Sequence, residues 1–120
     1  MHVNQPLKGV GCTPLYIACQ RGLVDVVALL LDNARNSIDV NKATTDKGES
    51  PLFVACAFGR TRVAALLLDK AREKIDVSQT RTKDGCTPLL IACQNGHADI
   101  VSLLLEEAPD AIDVNRPRTS

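Results

Sequence analysis

The chain has 120 residues, enough for one compact unit and too few for two ordinary domains. Fourteen Lys and Arg residues balance fourteen Asp and Glu residues, so no bulk charge attracts nucleic acid or an anionic membrane surface. With one Tyr, two Phe and no Trp, the core must be built from Leu, Ile, Val, Ala and Cys, and no apolar run approaches the roughly 18 residues of a membrane-spanning helix.

The opening MHVNQPLKGV lacks the hydrophobic stretch of a secretory leader, and a soluble chain of the cytoplasm or nucleus is expected. Gly9-Val-Gly11 looks like the start of a phosphate loop, but neither a third glycine nor Lys-Ser/Thr follows. At Thr13 the first helix signal appears: a hydroxyl able to accept from free helix amides, then Pro14, whose fixed φ suits the first helical position. This predicts a short helix from Pro14 to Gln20, ended by Gly22. LVDVVALLLDNA follows, with Val27, Leu30, Leu31 and Ala34 at helical spacing, and predicts a second, longer helix.

The same pattern then returns twice. Ser50-Pro51 opens a helix to Ala57, Gly59 ends it, and RTRVAALLLDKA follows. Thr87-Pro88 opens another to Gln94, Gly96 ends it, and HADIVSLLLEEA follows. Pro14, Pro51 and Pro88 are 37 residues apart, and so are the Ile-Asp-Val triplets that begin at Ile38, Ile75 and Ile112. A single helix pair cannot hide this much leucine, whereas identical pairs stacked side by side can.

Thr-Pro-Leu-x-x-Ala-x-x-x-Gly, a helix ending in Leu-Leu-Leu, and then Asp-Val-Asn resemble the ankyrin repeat over nearly the whole chain. The resemblance implies an all-α solenoid of helix-turn-helix pairs linked by β-hairpin fingers, with repeats over about 2–38, 39–75 and 76–112 and the start of a fourth finger at 113–120. It also implies a concave groove made of finger tips and first helices. Ankyrin repeats usually run to about 33 residues, and these are longer. Because Ala34 and Ile38, or Ala71 and Ile75, continue the apolar spacing beyond the leucines, the second helix is expected to run about one turn longer. In the third copy Pro109 should stop or kink it.

The residues with chemical potential fall into the repeat. Cys19, Cys56 and Cys93 share one repeat position beside an alanine, and Cys12 and Cys86 share another, so all five are expected to be reduced thiols, the first trio in packing roles. Two histidines, His2 and isolated His97, give too little for a zinc site or a nucleophile pair, and His97 is expected to support loop packing. Asp25 and Asp99 suit the positive end of the second helix, where the middle copy has Arg62, part of a basic corner with Arg60. No cofactor, metal or catalytic residue is expected.

The resemblance instead implies a protein partner, bound through the positions that vary between copies. These are Val10, Cys12, Gln20 and Arg21 in the first copy, Asp46, Lys47, Glu49, Ala57 and Phe58 in the second, and Lys83, Asp84, Cys86, Gln94 and Asn95 in the third. Tyr16, Phe53 and Leu90 share a first-helix position toward the groove. Phe58 stands out because its counterparts, Arg21 and Asn95, are polar. The alternative is an assembly role, in which the chain, a slice of a longer array or an engineered repeat protein, associates end to end. That reading expects apolar ends at Ile17, Val26 and Val27 and at Ile91, Ile100 and Val101.

Overall fold

The computed structural model describes residues 11–33 and 38–107. Among these residues six helices occur in chain order: α1 (Pro14–Arg21), α2 (Val24–Asn33), α3 (Pro51–Ala57), α4 (Thr61–Lys70), α5 (Pro88–Gln94) and α6 (Ala98–Glu107). The first helices start where proline and the preceding hydroxyl specify. Thr13 Oγ1 accepts from Tyr16 N at 3.2 Å, Ser50 Oγ from Phe53 N at 3.1 Å, and Thr87 Oγ1 from Leu90 N at 3.1 Å. Each such cap contributes about 1 kcal/mol, so serial loss of the three would consume much of the stability of a domain this size.

Each short helix pairs with the longer one that follows it, and the pairs stack so that α1, α3 and α5 form one layer and α2, α4 and α6 the other. Between the layers lie Leu15, Ala18, Cys19, Leu52, Ala55, Cys56, Val63, Leu67, Ala92, Ile100 and Leu104, all buried. Small side chains on the facing surfaces let the first helices approach closely. Phe53 is the largest fully buried side chain.

Burial follows position in the stack. Val63 and Ile100, on the side facing the preceding pair, are 1% and 0% exposed, whereas their counterpart Val26 is 42% exposed. Leu31 and Leu68, facing the following pair, are 2% and 4% exposed, whereas Leu105 is 40% exposed. The sequence-based expectation of apolar ends needs correcting residue by residue. Val27, Ile91 and Ile100 are buried, and Ile17 and Val101 are half-buried. A helix turns only one stripe of side chains toward each neighbour, so exposure falls on Leu23, Val26 and Leu29 at one end and on Leu105 and Cys93 at the other.

Two further expectations are corrected. The three residues added after the leucines do not lengthen the second helix in the middle copy: α4 ends at Lys70, and Ala71–Lys74 forms a separate turn closed by Ile75 N to Ala71 O at 2.8 Å. Ala71 is buried at that turn, so the apolar spacing marked a packing contact rather than more helix. Pro109 and the corresponding turn of the first copy lie outside the described residues. The fingers, over 39–50 and 76–87, contain no named strand among the described residues, only an antiparallel bridge between Arg81 and Cys86.

All five cysteines are free thiols. Cys19 and Cys56 are fully buried, and burial pushes both thiols up, Cys56 to about 12. Cys93 occupies the same repeat position but is exposed, against the expectation of a packing role for the whole trio. The position faces the following pair, so it is covered only where another described pair follows.

Two outcomes are expected. Cys93 should react with a thiol reagent in the native protein much faster than the other four, a difference that unfolding removes; uniform labelling would mean the stack is open. Gly59 has φ 72° and Gly96 φ 74°, and both are therefore strained by any side chain. Alanine at either should cost about 1–2 kcal/mol. Gly59→Ala should cost more in a thermal melt, because its Cβ would lie 2.8 Å from the His97 ring, whereas nothing lies within 4 Å of one at position 96.

Candidate functional site

Those of the expected contact residues that remain accessible lie at two edges of the first-helix layer. The finger edge sits at the N-terminal ends of α3 and α5, and the loop edge at their C-terminal ends.

At the finger edge the backbone of each finger closes on itself, with Thr44 N bonded to Glu49 O at 3.0 Å and Arg81 N to Cys86 O at 2.7 Å. The two fingers then join: Lys83 N and Thr82 Oγ1 both donate to Lys47 O, at 3.0 and 3.1 Å. Below the tips a charged network spans all three copies. Tyr16 Oη donates to Glu49 Oε1 at 2.7 Å, and Arg81 Nη1 meets Glu49 Oε2 at 3.1 Å. Arg81 also grips Asp84 bidentately, Nε to Oδ1 at 3.0 Å and Nη2 to Oδ2 at 2.7 Å, while its guanidinium carbon lies 4.8 Å from the Phe53 ring centroid. These charges are shielded, with side-chain exposures of 15% for Arg81, 14% for Glu49 and 12% for Asp84. Bidentate geometry and partial burial make this stronger than an ordinary surface ion pair. The bond to Asp84 raises the Arg81 pKa further, against the desolvation that opposes it.

This sorts the candidate contact residues. Phe53 is fully buried and Tyr16 is 4% exposed, so neither presents a surface to a partner, although the first-helix position they share was expected to face the groove. The physical reason is that Arg81 and Glu49 close over them. Glu49 and Asp84 are engaged within the network. Asp46, Lys47 and Lys83 stay exposed at the tips. Hydrogen bonds from the Thr44 hydroxyl and then the Lys47 amide hold the Asp46 carboxyl below its usual range. Of the cysteines near the tips, Cys12 and Cys86 are buried, and burial, then Asp46 and Glu49, pushes the Cys12 thiol up.

Arg81, expected only as one of the mixed finger-tip charges that would orient a partner, proves to be the centre of this edge. A signal was there: Glu49 stands where the other copies have Cys12 and Cys86, and a carboxylate at an otherwise apolar position calls for a cation within reach.

At the loop edge the same cross-repeat contact occurs twice with different chemistry. Arg60 Nε donates to Gln20 O at 3.0 Å, and His97 Nε2 lies 3.1 Å from Ala57 O, the carbonyl one repeat on. Asn95 Nδ2 donates to the same Ala57 O at 2.9 Å. Arg21 is exposed and Gln20 half-buried. Phe58 caps the end of α3 and is 53% exposed, with the Arg60 guanidinium carbon 6.0 Å from its ring centroid. Among the described residues no group of three or more His, Cys, Asp or Glu could hold a metal ion, and no helix is long and apolar enough to cross a membrane.

The network makes a test of the finger edge available through the chain's one tyrosine. Burial, and then the bond to Glu49, hold the Tyr16 phenol far above its usual value. As pH rises past about 10, the unfolded chain loses the phenol proton while the folded one retains it. Stability should therefore be undiminished below that pH and fall above it, and a near-ultraviolet titration should show no phenolate until the protein unfolds. A smooth titration with an ordinary midpoint in the folded protein would mean that Tyr16 is not closed in by Glu49.

A search of curated proteins finds no match to the chain. The family model described as ankyrin repeats (3 copies) matches it over residues 1–80 and again over 36–118. Together with six helices in three stacked pairs, each first helix opened by Thr/Ser-Pro and followed by a left-handed glycine, this places the chain in the ankyrin-repeat family.

Proposed function

We propose that this chain is a non-catalytic protein-binding module whose contact surface runs from the finger tips, Asp46, Lys47 and Lys83, across the first helices to Gln20, Arg21, Phe58 and Asn95. Ankyrin repeats are generally protein–protein interaction modules. The observation that carries the reading here is Phe58. The helix it ends buries every residue from Pro51 to Cys56, yet the ring itself is 53% exposed at the centre of the layer, where a partner can exclude water from all sides. Interfaces depend on a few such aromatic anchors surrounded by near-neutral contacts. The tip charges, of both signs, would orient a partner more than hold it. The reading includes no nucleic acid and no membrane as partner, in keeping with the balanced charge.

A second reading has its own support. Val26 at one end of the stack and Leu105 at the other are exposed where their internal counterparts are buried, which suits end-to-end association of copies. Sedimentation over a wide concentration range decides this: a strict monomer at high concentration removes it.

Selection of binders from a displayed protein library, with their contacts mapped by hydrogen exchange, tests the main reading. Protection confined to the second helices would overturn it. Full burial of a Phe side chain is worth roughly 1.5–3 kcal/mol. Phe58→Ala should thus weaken a binder of the finger and first-helix face about ten- to a hundredfold while leaving the melting temperature nearly unchanged. Charge reversal at Lys47 should cost less and depend on salt.

A further inference from the structure

The loop edge differs between the three copies in a way that packing does not explain. Across the stack, the position ending the first helix reads Arg21, Phe58, Asn95; two residues on it reads Leu23, Arg60, His97; and in the first turn of the second helix it reads Asp25, Arg62, Asp99. The outer copies thus place a carboxylate at a helix start, where negative charge is favoured, and the middle copy places a guanidinium there against the helix dipole. Arg62 is exposed, and its side chain makes no hydrogen bond or ion pair among the described residues.

The ion pairs among the described residues are Lys70–Asp32, Arg72–Glu107, Arg81–Glu49 and Arg81–Asp84. Arg21, Arg60 and Arg62 take part in none of them. Arg60 is also held in place. Its Nε is bonded to Gln20 O, its stem fills the space over Gly22 so closely that a Cβ there would meet its Cδ at 2.9 Å, and its guanidinium lies beside the Phe58 ring. The Arg60 guanidinium thus lies beside Phe58, which is 53% exposed, while Arg21 holds the same repeat position as Phe58 in the preceding copy and Arg62 stands four residues after it in the first turn of α4; Leu23, 43% exposed, holds the repeat position of Arg60. On the third copy's side, Asn95 and His97 are occupied with Ala57 O. Asp25 and Asp99 stand at the outer positions of their row and repel negative charge placed off-centre.

We propose that this patch receives an acidic segment of a protein partner, with an aliphatic or aromatic side chain laid on Phe58 and carboxylates on Arg21 and Arg62. The proposal rests on the protein-binding reading above and adds the chemistry of what is bound. Arginine suits it, because the planar fork pairs with a carboxylate through two bonds and is weakly hydrated. Asp25 and Asp99 limit the register, since a carboxylate laid along the first turns of the second helices is repelled at the two outer positions and accepted only at Arg62.

The test uses the isotopically labelled protein and three short peptides that alternate leucine with glutamate, glutamine or lysine, together with single-stranded polyuridylate. The glutamate peptide should move the backbone signals of Arg21, Phe58, Arg60 and Arg62 and bind about fivefold more tightly than the glutamine peptide at low salt. That preference should shrink as salt rises. Arg62→Asp installs the residue of the other two copies, so it should fold at least as well as the parent and still lose the glutamate preference. Equal binding of the glutamate and glutamine peptides, with Phe58 signals moving for both, would overturn the acidic assignment and leave the protein-binding face standing. Glutamate-peptide shifts confined to the finger tips, or an absence of shifts with every peptide, would also overturn it. Movement of the same signals by polyuridylate alone would assign the patch to phosphate backbones instead.

Discussion

The stack depends on one arrangement, repeated at each junction: a glycine past the first helix, in the left-handed region, leaves empty the volume into which the next copy reaches. Arg60 lies over Gly22 and bonds to Gln20 O; His97 lies over Gly59 and stands against Ala57 O. The missing Cβ and the free helix carbonyl solve two problems together. A helix end leaves carbonyls unsatisfied, and a solenoid needs a reason for each pair to sit in one register on the last. Here the same side chain meets both needs, and it does so with an arginine in one copy and a histidine in the next. The position is constrained by reach and by donor capacity more than by residue type.

The fingers hold the opposite edge by polar contacts. With no named strand among the described residues, their order comes from bonds between neighbours: Lys83 and Thr82 to Lys47 O, Asn41 Nδ2 to Lys74 O at 2.8 Å, and Asp76 N to Asn41 Oδ1 at 2.8 Å. Arg81 joins Glu49 and Asp84 over the Phe53 ring, so the middle of this edge is closed by charge and aromatic contact together. The two edges therefore differ in kind. The charges beneath the finger tips, Glu49, Arg81 and Asp84, are paired within the molecule, whereas the arginines at the loop edge have no carboxylate partner among the described residues.

That difference bears on how such a surface discriminates. Exposed apolar area supplies strength with little selectivity, and unpaired charge around it rejects partners of the wrong sign. Phe58 with Arg21 and Arg60 at the ends of the first helices and Arg62 at the start of α4 brings the two together along the loop edge, and the buried α3 beneath supplies a rigid base. Rigidity limits the ordering cost of binding to the partner's side.

The sequence by itself determined the helices, their starts and the family. Thr/Ser-Pro and glycine act locally, through φ and one hydrogen bond, and the 37-residue register repeats without a slip. It also singled out Phe58, as an aromatic among polar counterparts. Only the tertiary structure decided which equivalent residues are equivalent in fact. Cys19 and Cys93 share a position, yet one is buried and the other exposed; Val26 and Ile100 do the same. Repeat position fixes the direction a side chain takes, and its cover depends on whether another pair lies that way. The loss of Tyr16 and Phe53 from the contact face was likewise hidden, because the network covering them is built from Glu49 and Arg81, 32 residues apart in the chain and brought together by stacking alone. Ala71 shows the same limit from the other side, since helical spacing and a buried turn produce the same apolar pattern until the packing tells them apart.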